Sequence, residues 1–295
     1  MMADVRIAAA PISWGVCEVP GWGYQLAPDR VLTEMQELGF DATEFGPEGF
    51  LPVDPETRAE LLNRHSMRSV GGFVPAVIHD PEVDPLPQIE AELRSFVAAG
   101  ADTLVLAAAT GIDGYDHVRP PLDDDGWQTL CANIDRIVSR AAADGVRVAL
   151  HPHVGTMVET ADDVDHVLNG SAVDICFDTG HMFIGGIDPL AFVKDHAERI
   201  SHVHLKDVSL SHARQVRAGD STYYDAVVGG MYRPLGQGDI DIRAIVTTLV
   251  KAGFDGWFTL EQDTVVVADP EAGDGPMTQA RESLDYLRSI VREVR

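Results

Sequence analysis

Residues 99–107, AGADTLVLA, hold a helix end, a turn and a buried strand in one phrase. Gly100 falls where a helix takes a left-handed residue just past its last turn. The Thr-Leu-Val-Leu-Ala run that follows is continuous rather than alternating, as in a parallel strand covered on both faces. The phrase returns as Leu38-Gly39-Phe40-Asp41, Asp144-Gly145-Val146 and Ala252-Gly253-Phe254-Asp255. Its spacing is uneven, so a structural unit repeats here without the fixed period of a solenoid.

Working outward from these phrases, strands are predicted over 6–10, 42–45, 69–74, 103–107, 146–151, 174–178, 202–205 and 257–261. Amphipathic stretches lie between them. Ile242, Ile245, Val246, Leu249 and Val250 form one apolar stripe at helical spacing, and Pro28 opens another helix before Val31, Leu32, Met35 and Leu38. Eight strands and eight helices result, the last helix over 276–294. No Pro/Gly/Ser-rich linker divides the chain, so the expectation is α/β, a single (β/α)8 TIM barrel spanning 1–295. A doubly wound open sheet is the alternative, but the first turn lacks a Gly-x-Gly-x-x-Gly phosphate loop. A long loop is expected after strand 7, over 206–238, carrying Arg214, Arg217, Tyr223, Tyr224, Tyr232 and Arg233. Loops of that length line active faces or subunit contacts.

Composition removes several functional classes. Against 47 Asp and Glu stand 22 Lys and Arg, a net charge of −25, so nucleic acid and anionic membrane surfaces are poor partners. The three cysteines, Cys17, Cys131 and Cys176, show no CxxC spacing and suggest reduced thiols rather than a disulfide scaffold. The N-terminal MMADVRIAAAPISWG, with Asp4 and Pro11, does not read as a signal peptide. No apolar run approaches the ~20 residues of a membrane span. The expectation is a soluble cytoplasmic protein.

In such a barrel the chemistry sits at the C-terminal ends of the strands. Those positions read Glu44, then His151-Pro152-His153, Asp178-Thr179-Gly180-His181, His204-Leu205-Lys206-Asp207 and Glu261-Gln262-Asp263. One strand-end His or Asp is more often a hydrogen-bonding residue than a ligand, but four adjacent strands of a closed barrel converge on one point. His151, Asp178, His204 and Glu261 offer two imidazoles and two carboxylates without a thiolate. That set suits a divalent ion, Mn²⁺, Co²⁺, Fe²⁺ or Zn²⁺, acting as a Lewis acid on a carbonyl. His153, His181, Lys206 and Glu159 are then candidates for acid–base work and substrate orientation.

These residues resemble the xylose-isomerase-like TIM-barrel superfamily, and within it the inosose (2-keto-myo-inositol) dehydratase-like branch. The resemblance runs over nearly the whole chain: AAAPISWGVCE at 8–18, GFDATEFGPEGFLP at 39–52, HPHVGTMVET at 151–160, CFDTGHMFIGG at 176–186, HVHLKDV at 202–208, PLGQGDIDI at 234–242 and GWFTLEQD at 256–263. It implies metal ligands at Asp178, His204 and Glu261, with Mn²⁺ or Co²⁺ ahead of Zn²⁺, Fe²⁺ or Mg²⁺. Where many relatives have Glu-x-His, this chain has His151-Pro152-His153, which leaves open which histidine is the ligand. The resemblance favours His151 as ligand and His153 as base. It also places His181 at the substrate's hydroxyls and makes Lys206 or His181 the acid.

The expected function is a metal-dependent dehydratase (a carbon–oxygen lyase) acting on a keto-inositol or similar cyclic keto-polyol through a metal-stabilised enediolate. Sugar isomerase or epimerase activity shares the first half of that chemistry. β-Elimination of a 3-keto-glycoside and a non-catalytic sugar-binding barrel are the other readings. Trp14, Glu44, Glu159, Arg214 and Arg217 are expected to bind the small-molecule sugar or cyclitol, with Phe73 also tuning selectivity. The loop and the apolar C-terminal helix allow a homo-oligomer.

Overall fold

The helix-end glycines make the reversals expected of them. In a computed structural model, which describes residues 5–294, Gly39, Gly100 and Gly253 close their helices with φ of 84°, 67° and 85°. Each turn sends the chain straight into a buried strand. Residues 1–4 and 295, the ends of the expected single unit and of its N-terminal reading, lie outside the described residues.

The strands are β1 (Arg6–Ala9), β2 (Ala42–Glu44), β3 (Arg68–Ala76), β4 (Thr103–Ala108), β5 (Arg147–Leu150), β6 (Asp174–Asp178), β7 (Ile200–Leu205), β8 (Asp207–Val208), β9 (Tyr232–Arg233) and β10 (Trp257–Leu260). β1 to β7 and β10 pair in parallel in chain order. The barrel closes where β1 meets β10, with Arg6 opposite Trp257 and Ala9 opposite Leu260. All eight predicted strands are present. His151 and Glu261, expected as last strand residues, instead stand one position beyond β5 and β10.

Around the barrel run α1 (Pro28–Leu38), α2 (Pro55–Arg64), α3 (Leu86–Ala99), α4 (Asp124–Ala142), α5 (Ala161–Gly170), α6 (Thr179–Ile184), α7 (Pro189–His196), α10 (Ile242–Ala252) and α11 (Pro276–Val294). Their apolar stripes bury against the sheet; Ile242, Ile245, Val246 and Leu249 of α10 are all buried, each side chain contributing roughly 1.5–3 kcal/mol. No helix among the described residues is long and apolar enough to cross a membrane.

The 206–238 segment differs from the expected loop because it is folded. It contains α8 (Leu210–Ala218) and α9 (Tyr223–Val228), and its ends pair as an antiparallel ladder, β8 with β9. These helices, together with the separate α6 after β6, exceed the eight that were expected. All three are too short to show a stripe of several turns in the sequence.

Alternation divides each strand between helix layer and lumen. Leu104 and Leu106 join the outer core, whereas Val105, Ala149 and Cys176 cluster inside with Phe73. Nearer the N-terminal end of the strands, Ala8, Ala42, Val70 and Trp257 form a separate plug, with the Arg6 and Arg68 guanidiniums 5.0 and 5.1 Å from the Trp257 ring centre.

Asp207 ties the insertion to the barrel. Its Oδ2 accepts from Gly236 and Gly238 N–H at 2.8 and 3.0 Å, and its Oδ1 accepts from Val208 and Ile240 N–H at 2.9 and 3.1 Å. Four backbone donors would lose their acceptor in Asp207→Ala, and the two on buried residues, Val208 and Ile240, are costly to leave unsatisfied. We expect that substitution to lower unfolding free energy by on the order of 3 kcal/mol in urea titration; an unchanged midpoint would contradict this role.

Candidate active site

Strand ends and local capping aim the polar side chains. Asp178 closes β6 and caps α6: its Oδ1 accepts from Gly180 and His181 N–H, both at 2.8 Å. That turns Oδ2 into the lumen, where it is buried and satisfies no hydrogen-bond geometry. His202 and His204 are alternate residues of β7 and face the same way, as do Glu261 and Asp263 beyond β10.

Four ligand-type atoms meet there. His151 Nε2 lies 3.0 Å from His204 Nδ1 and 3.4 Å from Asp178 Oδ2. His204 Nδ1 is 3.6 Å from Asp178 Oδ2 and 3.2 Å from Glu261 Oε2. Lys206 Nζ stands beside them, 3.3 Å from Asp178 Oδ2, 3.1 Å from Glu261 Oε2 and 2.6 Å from Asp263 Oδ1. The sequence-predicted set His151, Asp178, His204 and Glu261 is thus brought together, with Lys206 at its edge.

A cavity opens over this cluster, reached by His151, His153, His204, Lys206, Glu261 and Asp263 and walled by Trp22, Phe73 and Tyr115. His153 Nδ1 donates to Val154 O at 2.7 Å, which leaves Nε2 as an acceptor. The His153 ring packs on His181 with centres 3.7 Å apart and on Tyr115 at 4.6 Å. His181 is buried behind it, with Nε2 3.0 Å from Lys206 Nζ, and is not itself a lining residue.

Four expected substrate contacts are corrected. Trp14 belongs to a 3-10 turn that sends it outward into the core, where its indole N–H donates to Glu34 at 2.8 Å. Glu159 accepts from Gly155 N–H and faces Arg119 at 3.4 Å, away from the cavity. Arg217 donates to Phe183 O and Ile184 O at the end of α6. With Arg214 it lines an outer groove rather than the mouth. Both sit on α8, which the sequence presented as loop. Glu44 does line the cavity, but its Oε1 is taken by His202 and His204.

Sequence reasoning passed over Tyr115 and Glu18, hydrogen-bonded to each other at the cavity wall. It also missed the use of Asp263. That carboxylate accepts from Lys206 and from the Tyr223 hydroxyl, and Tyr223 in turn meets the Tyr232 hydroxyl at 2.7 Å. The alternation Glu261-x-Asp263 was a usable signal for Asp263; nothing local marks Tyr115.

Residues 32–290 match the family described as xylose isomerase-like TIM barrel. The chain belongs to that family. It is 30% identical to an inosose dehydratase of Geobacillus kaustophilus over 98% of this chain and 96% of that protein. It is 31% identical to the rhizopine catabolism protein MocC of Rhizobium meliloti, over 97% of this chain and 88% of that one. A solved structure of IOLI protein with a binding zinc atom shares the barrel at a TM-score of 0.71, with 15% identity and 99% of each chain covered.

In this family barrel the cluster's chemistry fits a divalent cation. Two donors sharing an ion at ~2.0–2.2 Å stand roughly 3.0–3.6 Å apart, the range of the four separations given above, and Asp178, His204 and Glu261 lie together as a three-donor group. The unsatisfied Asp178 Oδ2 is the donor such an ion would complete. Electrostatics point the same way. Burial, against the pull of His204 and Lys206, pushes Glu261 up to about 7. Burial opposes the Lys206 charge, but Asp178, Asp263 and Glu261 overcome it and hold the ammonium well above the usual lysine range.

Burial also pushes His151 down to about 4, and it lowers His153 and His181 well below 6.5. His204 is opposite: burial is outweighed by Cys176, Glu261 and Glu44, so it stays protonated. Below pH 6.5 the unfolded chain therefore takes up protons that these three rings and His202 refuse; Glu261, raised to about 7, takes up one proton in the folded chain and offsets one of them, so stability falls as pH falls. The His204 contribution is already full there and is lost only as pH rises through its own pKa. Metal-free protein should lose up to about 1.4 kcal/mol per pH unit per refused proton between pH 6.5 and about pH 4. Urea midpoints measured across that window check this, and a flat profile would refute it.

Proposed function

We propose that the chain, working as one barrel over 1–295, is a divalent-metal-dependent dehydratase, a carbon–oxygen lyase acting on a keto-inositol or similar cyclic keto-polyol. The observation that carries this reading is the meeting of His151 Nε2, Asp178 Oδ2, His204 Nδ1 and Glu261 Oε2 beneath a cavity that His153 also lines. The inosose dehydratase relative supports the substrate class. Lys206 is the only Lys or Arg among the lining residues, and three carboxylates already hold it. An uncharged polyol suits such a wall better than a phosphorylated sugar.

His151, Asp178, His204 and Glu261 would hold the ion, and a divalent ion there supplies Lewis-acid polarisation of the ketone. His153 Nε2, bare because Nδ1–H is committed to Val154 O, takes the proton from the carbon next to the ketone. The electron pair left behind moves into the carbonyl and then returns to expel the β-hydroxyl. Lys206 gives that hydroxyl a proton, so water leaves. Once Asp178 and Glu261 are committed to a cation, Lys206 loses two of the three carboxylates that retain its proton, and it becomes a better acid. His181 Nε2, in contact with Nζ, orients the ammonium.

With Mn²⁺ or Co²⁺ and 2-keto-myo-inositol, the protein should form an ultraviolet-absorbing enone-type product. Glu261→Gln should lose the metal. His153→Ala should keep it while losing α-proton exchange in D₂O and at least ~100-fold in kcat. Equal metal loss in both variants would sink the division between ligand and base. Exchange without elimination would move the assignment to a sugar isomerase or epimerase.

A further inference from the structure

Glu44 is a buried carboxylate to which the chemistry above gives no task. It ends β2, with two strands, β1 and β10, between it and β7, and reaches across the lumen. Its Oε1 lies 2.7 Å from His202 Nε2 and 2.8 Å from His204 Nε2. Glu44, His202 and His204 could be read as a second metal triad. The separations decide against that. They are hydrogen-bond lengths, shorter than the ~3.0–3.6 Å between donors that share one ion, so a proton lies on each line.

Two N–H bonds to one carboxylate oxygen place a hydrogen on Nε2 of both rings. For His204 the nitrogen left to give up its proton for an ion is then Nδ1, the atom facing His151, Asp178 and Glu261. His202 is fully buried, and its Nδ1 meets no partner. Its directed contacts are Glu44 and, at 3.3 Å, the Thr259 hydroxyl. A ligand imidazole whose other nitrogen is tied to a carboxylate has its tautomer and ring angle set by that bond.

We propose that Glu44 and His202 are positioning residues for His204. Glu44 fixes the ring so that Nδ1 faces the ion, and His202, bound to the same oxygen, keeps the Glu44 carboxylate from swinging toward the cavity. This rests on the reading that the cluster binds a divalent ion. It changes the expected role of Glu44 from touching substrate to holding a ligand in place.

The test uses Co²⁺ and Zn²⁺ alone, without substrate. Titrating Co²⁺ into the wild type and Glu44→Gln, followed by visible absorption and equilibrium dialysis, should show about 10- to 100-fold weaker binding in the variant, with far-ultraviolet circular dichroism unchanged. Long-range ¹H–¹⁵N spectra of Zn²⁺-loaded wild type should show His204 protonated at Nε2 and metal-bound at Nδ1, a readout that stands even if Glu44→Gln does not fold. Equal Co²⁺ affinity in both proteins, or Zn²⁺ on Nε2 of His204, overturns the positioning role while leaving the metal reading intact. A wild type that binds neither ion overturns both.

Discussion

Charge crowded into the barrel mouth is the constraint on which the rest of the site depends. Asp178, Glu261 and Asp263 share a single ammonium, Lys206 Nζ, within 3.3 Å. Buried carboxylates repel one another and are costly unless matched. One lysine and the His204 imidazolium do not match four acids once Glu44 is counted, and the raised Glu261 shows where the shortage falls. A site built this way attracts cations. The hold on Lys206 and the charge on His204 follow from how that excess is distributed, whereas His153 is neutral because it is buried beside His151 and Lys206.

The barrel was legible because its signals are local and repeat. A glycine at several helix ends and a continuous apolar run in each strand survive any change in loop length, so strands such as 103–107 and 174–178 were placed to within a residue or two. The convergence of His151, Asp178, His204 and Glu261 was legible for a related reason: strand ends of a closed barrel must converge, so position along the chain implies position in space. The residues that were misplaced lack such a rule. Trp14 lies five residues past β1 but turns outward on a 3-10 turn. Arg214 and Arg217 are cations in an apparent loop, and only the helical fold of α8 reveals that Arg217 bonds the end of α6 while both line an outer groove. Which way a side chain leaves an irregular segment depends on packing that no short window of sequence records.

The 206–238 insertion shows the same limit from the other side. Its tyrosines stood out by composition, yet their use came from distant partners. Asp116, after β4, accepts from the backbone N–H of both Tyr223 and Tyr224 and so starts α9 where Tyr223 can reach Asp263. The strand ends thus carry the His151, Asp178, His204 and Glu261 cluster, while the insertion grips Asp263, which grips Lys206. In the proposed reaction, proton removal and the fate of the leaving hydroxyl would be supported by different parts of the chain.

The plug of Ala8, Ala42, Val70 and Trp257 carries a further consequence. It blocks the lumen at its N-terminal end, so the tube has one usable opening. Whatever lodges at the level of Asp178 must arrive before anything fills the cavity above, and it cannot depart while that cavity is filled. On the proposed reading the barrel would work as a last-in, first-out store: an ion held there would stay through successive turnovers while polyol and water pass over it.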